Sequence, residues 1–369
     1  MKKTIPPGEF TFIRLTKLND LFNIDFSGTI CFFHIYIYRH DMHNILLIGG
    51  AGYVGTVLTS HFLKKGFKIT VLDNFIYQNQ FAIQAYLGDP DYNLIYGDLC
   101  NSNDLLKSSK GVTDVIVLGG LVGDPVTKKY PSESGKINNT GIKTCINFFK
   151  DKDINKLIFI STCSNYGLIK EDELADENFV LNPLSLYAKA KVSNEEYLLS
   201  RKDTTNYTGV ILRFATAFGL SPRMRFDLTI SEFIRDLYFG EELTVFDEYT
   251  WRPYCHVRDF ARLLEIVLNA EKDLVNFQIF NAGGDVNNFT KKMIVDEILK
   301  YLPGGKIKYA KQGSDPRNYK VSFAKVKNIL GFEPSFSLPD GIEELVNAFK
   351  IGAFSDSVIN KNKYGNYII

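Results

Sequence analysis

An α/β fold, a doubly wound parallel sheet with a smaller, mostly C-terminal α/β lobe for substrate, is what three features of this 369-residue chain predict. Residues 45–48 are an unbroken apolar run, the mark of a strand buried on both faces, and they pass directly into Gly49, Gly50, Gly52 and Gly55. Behind the glycines, short apolar strands alternate with amphipathic stretches, as in a chain of strand–helix–strand units. A second strand, residues 68–72, ends in Asp73, 18 residues beyond Gly55. That lies close to the roughly 20 expected of a ribose-binding carboxylate.

Each element has its own reason. A pyrophosphate needs backbone N–H groups at a helix N-terminus and no Cβ in the way, which Gly50-x-Gly52-x-x-Gly55 supplies ahead of the amphipathic segment 56–65, and Gly49, Tyr53 and Val54 are counted with that turn as cofactor-binding. Asp73 accepts from both ribose hydroxyls and repels a 2′-phosphate. Asn74 and the two residues after it bring no Arg to neutralise one, so NAD is expected over NADP. Residues 93–96 form a short strand ending in Gly97-Asp98-Leu99, where Asp98 either accepts from the adenine amino group or caps the helix starting near 102–104. The next strand, 115–118, is followed by Gly119-Gly120, small enough for close backbone approach to a cofactor, and by a helix over 131–150. Strand 157–160 delivers residues 161–167 at its C-terminal end, where open α/β sheets bind ligands. Pro183 then starts a helix that places Tyr187 and Lys191 on one face, at i and i+4. A core-facing Tyr with a solvated Lys is the bland account of such a pair. The sharper one is a proton-transfer unit in which Lys191 lowers the phenol pKa so that Tyr187 serves as a base.

Composition narrows the partners. With 43 basic against 42 acidic residues and no basic stripe, neither nucleic acid nor a membrane surface is indicated, and a small charged molecule is. Five cysteines without a C-x-x-C pair point to a reducing cytoplasm and to neither a metal site nor a disulfide frame. Residues 1–41 read as an extension outside the core. Their one apolar run, 31–38, is too short for a membrane span and too far from Lys2 and Lys3 for a signal peptide.

Together these residues resemble the extended short-chain dehydrogenase/reductases, specifically the NAD-dependent nucleotide-sugar epimerase/dehydratase family. The resemblance rests on Gly49-x-x-Gly52-x-x-Gly55, Asp73, Gly97-Asp98-Leu99, the Ser161-Thr162 strand end, Tyr187-x-x-x-Lys191, Leu212-Arg213-Phe214 and Tyr254 to Asp259. It covers about residues 42–350. It implies a Rossmann-type NAD domain from 42–215 plus about 250–285, a nucleotide-sugar lobe from about 216–249 plus 286–350, and a tail, 351–369. Tyr187, Lys191 and Thr162 are then the catalytic set, and Ser164, Arg223, Arg225, Arg252 and Arg317 the substrate contacts, planar forks being suited to phosphate. The chain departs from the family's dehydratases, which carry Thr-Asp-Glu where Thr162-Cys163-Ser164 stands, so dehydration is disfavoured. Thr216 replaces a familiar Asn. His256 reads as a satisfied core histidine, and residues 354–369 show no pattern.

The expected activity is oxidation at C4 of a nucleotide-diphosphate sugar, as an epimerase or as a one-way dehydrogenase or reductase, with a role in surface-glycan synthesis. A cofactor-bound sensor without turnover is the reading from another class. The resemblance also implies a homodimer through the helices of 131–150 and 183–201. Ile137, Ile142, Cys145, Ile146 and Phe149 look like more apolar residues than packing on the sheet requires.

Overall fold

The computed structural model describes residues 43–311, 313, 315 and 317–369; the expectations for residues 1–41 lie outside them. In chain order the elements are β1 (Asn44–Ile48), α1 (Tyr53–Lys64), β2 (Lys68–Asp73), β3 (Tyr92–Tyr96), α2 (Ser102–Ser108) and β4 (Asp114–Val117). There follow α3 (Asp124–Lys129), α4 (Pro131–Ser134), α5 (Ile142–Phe148), β5 (Lys156–Thr162), α6 (Leu186–Leu199), β6 (Thr208–Phe214) and β7 (Thr216–Phe218). Then come α7 (Thr229–Tyr238), β8 (Leu243–Phe246), β9 (Trp251–His256), α8 (Val257–Asn269), α9 (Lys272–Val275), β10 (Gln278–Ala282) and β11 (Asn288–Thr290). The last are α10 (Lys291–Tyr301), β12 (Ile307–Ala310), α11 (Ala324–Leu330) and α12 (Leu338–Lys350).

Seven parallel strands form the main sheet in the order β10–β6–β5–β4–β1–β2–β3. Successive side chains of β1 alternate between two cores: Ile45 and Leu47 pack with Leu58, Phe62 and Leu264 of α1 and α8, whereas Leu46 and Ile48 pack with Leu105, Ile146 and Leu198 of α2, α5 and α6. Both faces are dry, which is why the strand reads as continuous apolar sequence. The strand order reverses between β1 and β4, and a crevice must open at their carboxyl ends, because the connections leave in opposite directions there. Two small sheets, β11–β9–β7 and β12–β8, lie in the C-terminal half.

Three expectations need correction. The helix of 131–150 is not continuous: after α4 it widens into a π-helical turn, Gly135–Gly141, before α5 resumes. Tertiary hydrogen bonds account for it, since the Asn138 side chain binds both backbone groups of Leu121 (2.7 and 2.9 Å) and its carbonyl accepts from Asn194 (2.7 Å). Pro183 does not start α6; Ser185 caps it, its hydroxyl accepting from the Ala188 N–H at 3.1 Å. The apolar residues credited to a dimer face are used within the chain, for Ile142, Cys145, Ile146 and Phe149 are buried in the subunit's own core and Ile137 lines the central cavity. Residues 354–369, patternless in sequence, pack in part: Tyr364 is buried, it and Phe354 set their rings against Phe226, and the Tyr364 carbonyl accepts from the Phe226 N–H at 2.7 Å.

Candidate active site

One cavity of about 750 Å³ opens at the β1/β4 crevice, and every residue singled out for chemistry in the sequence lines it except Gly50. The glycines divide by task. A Cβ on Gly55 would stand 2.4 Å from the Gly50 carbonyl oxygen, and one on Gly50 would strike Leu47 and Val71, so both are required by packing; Gly50 faces the core, not a ligand. A Cβ on Gly52 would meet nothing closer than 3.5 Å. Packing does not demand glycine there, and the absence of a Cβ leaves the backbone open to the close approach a pyrophosphate needs. Gly52 also caps α1 without a side chain, leaving the first-turn N–H groups open to an anion. Gly49, at φ +78°, has no room for a side chain, because a Cβ there would stand 2.4 Å from the Gly119 Cα.

Asp73 ends β2 with its carboxylate accepting from the Ala51 N–H (3.0 Å) and the Phe75 N–H (2.9 Å). Burial pushes its pKa up, and those two donors and Arg223 oppose the shift. Asn74 accepts from the Ile76 N–H at 3.2 Å. Asp98 makes a local turn with the Cys100 N–H at 2.8 Å, and Asn101 caps α2, so the capping alternative for Asp98 does not hold. Asp98, Leu99, Gly119 and Gly120 edge the same half of the cavity as the glycine turn. The open Gly52 cradle and the ribose carboxylate fit a dinucleotide.

At the end of β5, Thr162 accepts from the Ser164 N–H (3.1 Å), and the two hydroxyls lie 2.9 Å apart. Cys163 points away into the core, its thiol against the Arg213 carbonyl, and burial pushes its pKa well up. Lys191 donates to the Ile160 carbonyl at 2.6 Å, and burial lowers its pKa to about 8. Its ammonium lies 5.7 Å from the Tyr187 ring centroid. The expected depression of the Tyr187 pKa is not found: burial raises it, and the largest opposing charge is Arg225 instead of Lys191. Beneath these residues Glu195 receives Arg213 (2.7 Å), Asn165 (2.8 Å) and Ser161, tying α6 to β5 and β6. A buried pair with its remaining lone pairs satisfied in this way fixes geometry more than it adds stability.

The far wall carries the arginines. Arg252 and Arg317 share Asp315, at 3.1 and 2.7 Å, and Arg317 also reaches Asp124 at 2.9 Å. Burial opposes the charge on Asp315, but Arg317 and Arg252 hold its carboxyl well below the usual range. Arg225 is likewise held by a carboxylate, its fork meeting Asp227 through bonds of 3.0 and 2.6 Å. Arg223 lies over the Tyr77 ring, whose centroid is 5.5 Å away, and within electrostatic reach of Asp73. His256 is buried, caps α8 and meets Glu344 at 2.9 Å, as a core histidine should. Sequence reasoning missed Tyr77, Asp124, Asp227 and Asn366, all of which line the cavity. Asp227, two residues after Arg225, was the one with a local signal.

Comparison with known proteins agrees with this geometry. The model of the NAD dependent epimerase/dehydratase family matches residues 45–283. A low-salt glycan biosynthesis protein of Haloferax volcanii is 26% identical over 316 residues, covering 83% of this chain and 98% of that one. A UDP-glucose 4-epimerase of Halalkalibacterium halodurans is 25% identical over 342 residues, covering 86% and 99%. Among solved structures, the UDP-glucuronic acid 4-epimerase of Bacillus cereus, in complex with UDP-glucuronic acid and NAD, superposes with a TM-score of 0.72 at 24% identity, covering 83% and 99%.

Proposed function

Because the chain belongs to the NAD dependent epimerase/dehydratase family, and is therefore an NAD-dependent enzyme, we propose that it is a 4-epimerase of a nucleotide-diphosphate sugar, working through a 4-keto intermediate. The observation that carries this reading over dehydration is the end of β5. There Thr162 and Ser164 offer hydroxyls, Cys163 is turned into the core, and that strand end carries no carboxylate base to take a proton from C5. NAD supplies the hydride acceptor and donor.

Tyr187 removes the proton of the C4 hydroxyl, and Thr162 donates a hydrogen bond to the same oxygen. Lys191, anchored on the Ile160 carbonyl, holds the nicotinamide ribose and contributes positive charge beside the phenol. Arg252 and Arg317, aligned by Asp315, bind the substrate diphosphate. In this reading the cofactor belongs to 42–215 with about 250–285, and the sugar to about 216–249 with 286–350. The homodimer and the cytoplasmic setting also belong to it; the first is supported by the family, the second by the cysteine usage. A part in surface-glycan synthesis is supported by the Haloferax relative.

The test is incubation of the purified protein with UDP-glucose, UDP-glucuronic acid and other UDP-, GDP- and CDP-sugars, with products resolved by NMR and absorbance followed at about 340 nm. Interconversion of C4 epimers without net NADH is expected. Stoichiometric NADH would favour the one-way dehydrogenase, a 4-keto-6-deoxy product would overturn the argument from β5, and binding without any turnover would favour the sensor.

A further inference from the structure

Arg223 is 2% exposed, yet none of the described carboxylates lies within ion-pair distance of it. The nearest candidate, Asp227, is taken by the bidentate fork of Arg225. The protein partners of Arg223 are two carbonyls, Met224 at 3.1 Å and Gly365 at 2.9 Å, and the Tyr77 ring. These satisfy donors, while Asp227 and Asp73 act on the charge only from beyond ion-pair distance, and a buried guanidinium without a contact anion is costly unless one meets it. Burial and the neighbouring Arg225 lower its pKa to about 10.

Its placement says which anion. Ser221, two residues earlier, donates to the Tyr53 carbonyl at 2.7 Å and meets the Thr56 hydroxyl at 2.9 Å, while the Tyr53 hydroxyl donates to the Gly219 carbonyl at 2.6 Å. The segment carrying Arg223 is thus fastened to the first turn of α1, directly behind Gly52. The guanidinium extends from there toward Tyr77, in the loop after β2, and toward the ribose carboxylate Asp73. Residues 354–369 hold it in place: Gly365 accepts from Arg223, and Asn366 donates to the Val122 carbonyl at 3.0 Å, on the loop after β4.

We propose that Arg223 is a cofactor-binding residue, its guanidinium serving the dianionic pyrophosphate of NAD opposite the α1 N-terminus, and that the segment around Gly365 is the latch that positions it. This rests on the family's NAD dependence and deepens the reading above, because a cofactor clasped from both sides stays bound through the hydride cycle that epimerisation needs.

The test measures NAD and substrate nucleotide separately, without sugar turnover. Arg223→Met should weaken NAD binding by about 10- to 100-fold, as loss of a buried charge-assisted contact does. It should also shed NAD on desalting, read as released nucleotide absorbance, while UDP affinity by calorimetry stays within about twofold. Arg223→Lys should retain part of the NAD affinity. Truncation after Ile359, which removes the Gly365 carbonyl but keeps the charge, should shed NAD faster than the full chain and serves as the deciding variant if Arg223→Met does not fold. NAD retention equal to the parent in Arg223→Met, or in the truncated chain, would overturn the proposal, as would a loss confined to UDP. Failure of the epimerase reading would appear in the sugar assay alone.

Discussion

Tyr187 is surrounded by charge of both signs, and the balance sets what it can do. Arg225 and Arg317 favour the phenolate; burial and Asp124 disfavour it. Changing Tyr187 to Phe deletes the proton acceptor with little change in volume, so turnover should fall by roughly 10²- to 10⁴-fold while NAD remains bound. Steady-state rates on the accepted sugar and the nucleotide content of the variant check both halves. Lys191 gives the pH dependence. Its ammonium titrates near 8, so raising the pH through that value removes the positive charge beside Tyr187, and the rate should drop on the alkaline side. Lys191→Met should be slow at every pH and lack that limb; a parent profile flat from pH 7 to about 9 would contradict the role of Lys191. If Asp73 holds the ribose as proposed, it governs cofactor choice. Its Ser variant should narrow the preference for NAD over NADP, measured as a ratio of dissociation constants.

Among elements, the glycine turn separates structure from function most cleanly. Gly52→Ala places its methyl in open space, so the apo protein should melt within a few degrees of the parent yet bind NAD poorly. Gly55→Ala collides with the Gly50 backbone and should lower the melting temperature outright. Thermal melts with and without NAD distinguish the two. The strands of the main sheet were legible because burial on both faces writes itself as continuous apolar sequence, and Tyr187 and Lys191 were legible because helical spacing puts i and i+4 together. The π-helical turn was not, since its cause, the grip of Asn138 on Leu121, is a contact across 17 residues of chain. The pairing of Arg225 with Asp227 and of Arg317 with Asp124 was equally hidden. Residues 354–369 act in part through the carbonyls of Tyr364 and Gly365, groups that every residue carries and that leave no trace in side-chain pattern.

At the scale of the whole molecule, the crevice between β1 and β4 gathers contributions from the start of the described chain, its middle and residues 364–366. NAD binding should therefore stabilise the fold cooperatively, by about 2.7 kcal/mol at a concentration a hundred times the dissociation constant, read as a rise in melting temperature. Among the described residues, no helix is long and apolar enough to cross a membrane. β1 has both its sheet neighbours, β2 and β4, within 68–117, so removal of residues 1–41 should leave NAD binding and turnover intact, which the same assays would show.

The turned-in thiol of Cys163 has an isotopic consequence. A 4-keto sugar is acidic at C5, but a strand end furnished with the hydroxyls of Thr162 and Ser164 has no base to exploit that acidity. A reaction run to equilibrium in D₂O should therefore give product whose C5, and whose C4 if the same hydride returns, still carry protium.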